Sequence, residues 1–314
     1  MSCELFIIPA AYILDLLFGD PQTVWHPVRF IGRLIERLEE RLNVGGHNRK
    51  FLGVILVIFV TGTVSFGVWG ILKLSATVHR FLFYGASVLL IYFSLSVKAL
   101  ADEAGNIKKN LENGDIQEAR NNLSMIVGRD TKDLNESEII RATVETVAES
   151  TMDGIVAPLF YAFLGGPALA WCYKTVNTLD SMVGYKNERL KEFGWASAKL
   201  DGLLNLVPAK ITSFLISASM FCCGKNWINS IRWTARFIFK GPATNSDATE
   251  ASMAGGLGIQ LGGTNFYGSQ VVHKPFLGDA FEPLNIKHIR QSTVISYVAS
   301  ALMLIVGWVI AGRG

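Results

Sequence analysis

The chain has 314 residues, of which 50% are hydrophobic and 18% charged, with a formal net charge of +3 and a mean hydropathy of +0.33. Soluble domains carry about a quarter charged residues, so this composition excludes a disordered chain. The small net charge, with no run of five or more like charges, excludes a nucleic-acid partner.

The apolar excess is concentrated. Phe51 to Leu72, Phe81 to Val97, Gly154 to Tyr173 and Gln291 to Gly312 contain no charged residue. Segments of about 20 apolar residues match the roughly 30 Å hydrocarbon core of a bilayer, so the chain reads as an integral membrane protein. Cys3, Cys172, Cys222 and Cys223 lack metal-ligand spacing and read as small packed hydrophobes. The first basic residue, Arg29, follows the first apolar stretch, the reverse of a secretory signal, so the N-terminal segment reads as retained.

In chain order, Leu5 to Gly19 is apolar apart from Asp15. Some 15 residues reach about two-thirds of a bilayer core, which suits a re-entrant or tilted segment. Beyond Gly19-Asp20-Pro21, Val28 to Leu42 repeats Ile31, Leu34, Ile35, Leu38 and Leu42 at helical spacing, with arginines and glutamates on the other faces. This predicts an amphipathic helix, lying in the membrane interface or packed on a soluble domain. Phe51 to Leu72 and Phe81 to Val97 then form a hairpin of spans joined through His79 and Arg80. Residues 101–150 read as a polar helical section, with helices over Ala104 to Leu111 and Ile116 to Ile126 and a third opening near Asn135, where Glu138 completes a capping box. Strand-like alternation is sustained nowhere, so the expected class is all-α, a polytopic protein with one membrane-embedded domain over 1–314 and about five apolar segments.

Charge asymmetry strains a simple topology. Arg29, Arg33, Arg37, Arg41, Arg49 and Lys50 assign the first polar connection to the cytoplasm. The later connections 101–153, 174–201 and 225–290 are also basic and cannot all be cytoplasmic if each apolar stretch crosses once. Pro158, Gly165-Gly166-Pro167, Pro208 and Lys210 interrupt the intervening stretches, as in broken or re-entrant helices, although two ordinary crossings stay open.

Three constellations and one histidine could carry chemistry. Arg141, Glu145, Glu149 and Asp153 recur every four residues, so three carboxylates share one helical stripe. Such a stripe suits Mg²⁺ with a polyphosphate, or is a solvated face steadied by Arg141. Asn177, Asp180, Lys186, Arg189, Asp201, Asn205 and Lys210 form a polar set beside apolar segments, a functional site or a salt-bridged one. Lys186 and Arg189 are cations of the kind that grip phosphate or carboxylate. Thr244 to Gly263 carries Asn245, Asp247, Glu250 and five glycines, which allow close backbone approach to a phosphate or between helices. It is neither a Walker A loop nor a dinucleotide fingerprint. His26, in Trp25-His26-Pro27, is a structural residue or a ligand.

Four blocks, GDPQTVWHPVRFIGRLI (Gly19 to Ile35), ETVAESTMDGIVAPLFYAFLGGP (Glu145 to Pro167), NTLDSMVGYKNERLKEFGWASAKLDGLLNLVPAK (Asn177 to Lys210) and EASMAGGLGIQLGG (Glu250 to Gly263), carry a likeness over nearly the whole chain. They resemble the adenosylcobinamide-phosphate synthases of cobalamin biosynthesis. The resemblance implies a multi-pass protein of the cell membrane, its active site on the cytoplasmic side, using ATP and Mg²⁺ to join adenosylcobyric acid to an amino-alcohol phosphate. On that reading Glu145, Glu149 and Asp153 hold Mg²⁺ and nucleotide, and Lys186, Arg189 and Lys210 neutralise phosphoryl oxygens. Asp180 or Asp201 takes the ammonium proton. Asn177, Asn205 and Asn245 hydrogen-bond the corrinoid or phosphate, and His26 anchors an anionic group; Arg29 and Glu250 belong to the same substrate-binding set. Partners implied are the corrinoid, the lipid bilayer, and other membrane proteins of the pathway or a second copy. The chain departs from the family pattern at Asp201-Gly202, where two aspartates are usual, and at Ala243 to Ala248, where Ser-Pro-Asn is usual. A membrane transporter or a non-catalytic membrane component is the rival class.

Overall fold

The computed structural model describes residues 3–20, 26–45, 48–185, 187–240, 244–268 and 270–313. The expected Lys186 site therefore lies outside the described residues. The chain divides into two units, Met1–Ser96 with Ala157–Leu206 and Leu304–Gly314, and Val97–Val156 with Val207–Met303.

The first unit contains α1 (Ile7–Phe18), α2 (Pro27–Leu42), α3 (Arg49–Val78), α4 (Arg80–Tyr92), α8 (Ala157–Val183) and α9 (Trp195–Leu204). The amphipathic stripe becomes α2, whose Ile31 and Ile35 are buried with Leu56, Val57 and Val60 of α3 and Trp171, Leu179 and Val183 of α8. Arg29, Arg33, Glu36, Arg37, Glu40 and Arg41 are left to the outside, as the helical spacing requires, whereas Glu39 is buried. The turn between α3 and α4 is His79, whose side chain caps α4 by accepting from the Phe81 N–H at 3.3 Å. Within α8 the helix breaks at Gly165 and at Gly166, where φ is +64°, before restarting at Pro167. A glycine accepts that backbone without strain, and proline suits the first turn of the resumed helix.

The second unit contains α5 (Val97–Glu112), α6 (Ile116–Ser124), α7 (Glu136–Thr151), α10 (Leu206–Cys222), α11 (Trp227–Lys240), α12 (Asn245–Leu257), a hairpin of β1 (Leu261–Tyr267) and β2 (Gln270–Leu277), and most of α13 (Lys287–Ala311). The capping box forms as the sequence predicts: Asn135 Oδ1 accepts from the Glu138 N–H at 3.0 Å and Glu138 Oε2 from the Asn135 N–H at 2.8 Å. A single π turn, Met152–Val156, follows α7. Helices α11 and α12 approach closely because Gly255 has no side chain; a Cβ there would lie 2.8 Å from the Trp233 ring and 2.9 Å from the Asn229 carbonyl oxygen. The hairpin departs from the expectation of no strand. Its glycine-rich first strand and Lys-Pro in the second hide the period-two pattern, and pairing of Thr264 with His273 and Phe266 with Val271 is what creates it.

Four helical runs are long and apolar enough to cross a membrane, Arg49–Val78, Arg80–Glu112, Glu136–Val183 and Lys287–Ala311, and the α9–α10 pair, bent by 49°, gives a fifth if taken as one span. Phe59, Phe66, Trp69, Ile71 and Leu74 are exposed along α3. In water such a face would be unfavourable, whereas acyl chains match it. The chain is an all-α, multi-pass membrane protein.

Candidate functional site

In the second unit α7 delivers the carboxylate stripe to the hairpin. Glu145 is buried, and both its oxygens are committed: Oε2 accepts from Arg129 Nη2, while Oε1 accepts from Arg141 Nη1 at 3.1 Å and the Gly262 N–H at 2.8 Å. Arg141 spans onward, donating to the carbonyl oxygens of Gly262 (2.6 Å) and Thr264 (3.2 Å) and to Asn265 Oδ1 (3.1 Å). Arg129 Nη1 donates to the same Asn265 oxygen at 2.6 Å. Gly262 sits at φ +83°, and a Cβ on it would fall 2.0 Å from the Pro275 carbonyl oxygen, so only glycine can present its N–H to Glu145 there.

One turn along, the acidic character continues differently. Glu250 of α12 is fully buried, its Oε1 lies 3.3 Å from Lys274 Nζ of β2, and its Oε2 has no hydrogen-bond partner among the described residues. Burial, and then the neighbouring Glu145, Glu149 and Asp247 carboxylates, push the Glu250 carboxyl up to about 8 against the pull of Lys274. Burial works to lower the Lys274 ammonium, but Glu250, Glu149, Glu145 and Asp247 together hold it above the ordinary lysine value. Glu250 is thus the ion-pair partner of Lys274, and Glu149, Glu145 and Asp247 add negative charge around the pair. Asp153 falls in the π turn, and Asn245 begins α12. The departure at Ala243 to Ala248 is where Thr244 and Asp247 cap α12, Thr244 Oγ1 accepting from the Asp247 N–H at 3.3 Å and Asp247 Oδ2 from the Thr244 N–H at 2.8 Å. Among the described residues no three His, Cys, Asp or Glu side chains are grouped as a metal site. Lys210 is exposed on α10.

The first unit holds the Asn/Asp set. Asp201 accepts from Asn177 Nδ2 at 3.4 Å and Asn205 Nδ2 at 3.0 Å, and Asn205 Oδ1 accepts from the Tyr173 hydroxyl at 2.9 Å. Tyr161 stacks on Tyr173 with ring centres 5.1 Å apart. Asp180 lies near the end of α8 against Gly184, where a Cβ would sit 1.9 Å from Asp180 Oδ1. A Cβ at Gly202 would meet nothing within 4 Å, so the missing second aspartate leaves open space. Arg189 forks onto Glu39 of α2, at 3.2 Å to Oε1 and 2.5 Å to Oε2. His26 caps α2, Nδ1 accepting from the Val28 N–H at 3.3 Å, with Nε2 2.9 Å from Asp20. Arg29 is exposed on α2.

The chain matches the sequence profile of the CobD/Cbib protein family over residues 8–296. It belongs to the CobD/CbiB family. The cobalamin biosynthesis protein CobD of Clostridium perfringens is 43% identical over 301 residues, covering 95% of this chain and 95% of that protein. CobD of Geobacter metallireducens is 42% identical over 299 residues (95% and 94%), and CbiB of Salmonella typhimurium 41% over 299 residues (94% and 93%). No solved structure matches.

Every sequence-read site residue falls within the span matched to CobD/CbiB. The fold brings Glu145, Glu149 and Glu250 to one cluster, and Asn177, Asp201 and Asn205 to another in the other unit. Sequence reasoning missed Arg129, Lys274 and Asn265. The one available signal was Lys274 itself, the one Lys or Arg in Gln270–Leu277, between His273 and Pro275.

Proposed function

We propose that this CobD/CbiB protein acts in cobalamin biosynthesis as an ATP- and Mg²⁺-dependent ligase, joining the propionate carboxyl of adenosylcobyric acid to the amine of an amino-alcohol phosphate. The observation that carries the reading is the carboxylate cluster around Lys274, with buried Glu250 keeping one oxygen without a hydrogen-bond partner among the described residues. A carboxylate oxygen stripped of water and of donors is the environment a hard cation satisfies, and Mg²⁺ is commonly held by one or two carboxylates plus phosphate oxygens, so the residues fit it.

ATP held with Mg²⁺ would supply the phosphoryl group that activates the propionate carboxylate, with ADP released, and the amine would form the amide bond as phosphate leaves. Glu149 and Glu250 are the residues that would hold the metal, with Asp153 at the helix end. Glu145, its oxygens taken by two guanidiniums and a backbone N–H, positions the hairpin that carries Lys274. Lys274 is placed to balance phosphoryl oxygens. Lys186, Arg189 and Lys210 are further phosphate-binding candidates, Arg189 by leaving Glu39. Asp201, oriented by Asn177 and Asn205, is the proposed acceptor of the ammonium proton, with Asp180 the alternative. Asn245, His26 and Arg29 complete the proposed substrate contacts. Basic residues on the first polar connection favour the cytoplasmic face of the cell membrane for this chemistry.

The test is purified protein in detergent with adenosylcobyric acid, aminopropanol phosphate, ATP and Mg²⁺. Adenosylcobinamide phosphate is expected, and its formation should disappear in Glu250→Gln. Failure with every plausible amino alcohol, alongside uptake of a corrinoid by proteoliposomes, would replace the ligase with the transporter reading.

A further inference from the structure

A second feature of the second unit lies outside both clusters. A cavity of about 560 Å³ opens between the end of α5, the residues after α10 and the first turns of α13. Its volume is within the roughly 300–1,000 Å³ of small-molecule sites. Four cations, Lys108, Lys225, Lys287 and Arg290, line it against one carboxylate, Glu112. Lys108 is paired with Glu112 at 2.6 Å, and Lys287 with Glu282 at 2.5 Å. Lys225 and Arg290 have no ion pair among the described residues. The cavity therefore carries uncompensated positive charge.

The wall changes character along α13. Lys287 and Arg290 stand on its first turn, and Val294 and Ile295 on the next two, so about 12 Å of helix rise takes the lining from cationic to apolar. Helix α13 is long and apolar enough to cross a membrane, and a change from cationic to apolar lining along it matches the change from head groups to acyl chains. Ile286 and Cys223 extend the less polar side.

We infer that this cavity is a binding site for a phosphate group carried on an apolar body, gripped by Lys225 and Arg290. Charge selects the phosphate, since both residues line the cavity and neither is in an ion pair among the described residues, and Arg290 can fork onto two of its oxygens. The apolar wall selects what the phosphate is attached to. An acidic phospholipid head group has this chemistry, as does a soluble phosphate ester. The site does not depend on the ligase reading, because none of its residues belongs to the carboxylate cluster or the Asn/Asp set.

The test is binding to the purified full chain in a neutral detergent, with three probes: dioleoyl phosphatidylglycerol, dioleoyl phosphatidylcholine and glycerol 3-phosphate. Saturable binding of phosphatidylglycerol over phosphatidylcholine is expected, read by native mass spectrometry. Each Lys or Arg beside an anionic head group is worth about fivefold in affinity, so Lys225→Gln with Arg290→Gln should lose about 30-fold. Binding of glycerol 3-phosphate with the same loss would support the site and assign it to soluble esters. A second readout needs no charge change. In a variant keeping Cys223 alone (Cys3→Ser, Cys172→Ser, Cys222→Ser), phosphatidylglycerol or glycerol 3-phosphate should slow maleimide labelling of Cys223 several-fold, and phosphatidylcholine should not. Equal binding by the double variant, or no preference for either net-anionic phosphate probe over zwitterionic phosphatidylcholine together with unprotected Cys223, would overturn the inference.

Discussion

Glu145→Ala probes what holds the hairpin against α7. The substitution removes the acceptor for Arg129, for Arg141 at 3.1 Å and for the Gly262 N–H at 2.8 Å, and leaves two buried guanidiniums facing each other. Both retain Asn265 Oδ1, but one amide oxygen cannot neutralise two cations. Breaking a buried ion pair from one side typically costs about 3–5 kcal/mol, because the partner charge stays desolvated. At about 2–4 °C per kcal/mol, the melting temperature in detergent should fall by about 10 °C. Near-UV circular dichroism follows the unfolding, and chymotrypsin cleavage after Tyr267 at the end of β1 should speed up, since Gly262 is no longer pinned. The double variant Arg129→Ala with Glu145→Ala should be destabilised by less than the two single effects together, because one of the two stranded charges is gone. A melting temperature within about 2 °C of wild type, with unchanged cleavage, would refute the assignment of Glu145 as the hairpin anchor.

Glu149→Gln should leave helical content and melting unchanged and abolish amide product, since its carboxylate is assigned to the metal; residual product formation at the wild-type rate would remove it from the site. Gly262→Ala should destabilise by about 1–3 kcal/mol through a positive φ and a collision with the Pro275 carbonyl, measured by thermal melting. For Asp279, the Trp233 Nε1–H at 2.8 Å and then the Asn229 amide hold the carboxyl below its ordinary 3.8. A depressed carboxylate contributes stability above its unfolded value and loses it as pH falls through the folded one. Wild type should therefore lose stability more steeply than Asp279→Asn below about pH 4, and parallel profiles would count against the contact.

Much of the fold is legible one segment at a time. Charge-free stretches of span length, the Asn135-to-Glu138 cap and the Gly165-Gly166-Pro167 break each act within a few residues, so local sequence suffices to place them. Residues Ile31 and Ile35 also declare one face of α2, although only packing names α3 and α8 as what that face meets. The carboxylate stripe is half legible. Helical spacing aligns Glu145 with Glu149 but does not distinguish them, and their different fates come from elsewhere in the chain. The Gly262 N–H that engages Glu145 lies 117 residues away, and Arg129 reaches it across the loop before α7.

The amino-acid order by itself determined that this is a helical membrane protein, because hydropathy and helix-end chemistry are short-range, and its four motif blocks carried the likeness to the family. Tertiary structure alone decided that Glu145 is held by two arginines, that Glu250 is buried with one oxygen unpartnered, and that Lys274 arrives on a hairpin strand to face it. Electrostatic partners are chosen by distance in space, and a chain pattern carries no record of distance between side chains on separate elements.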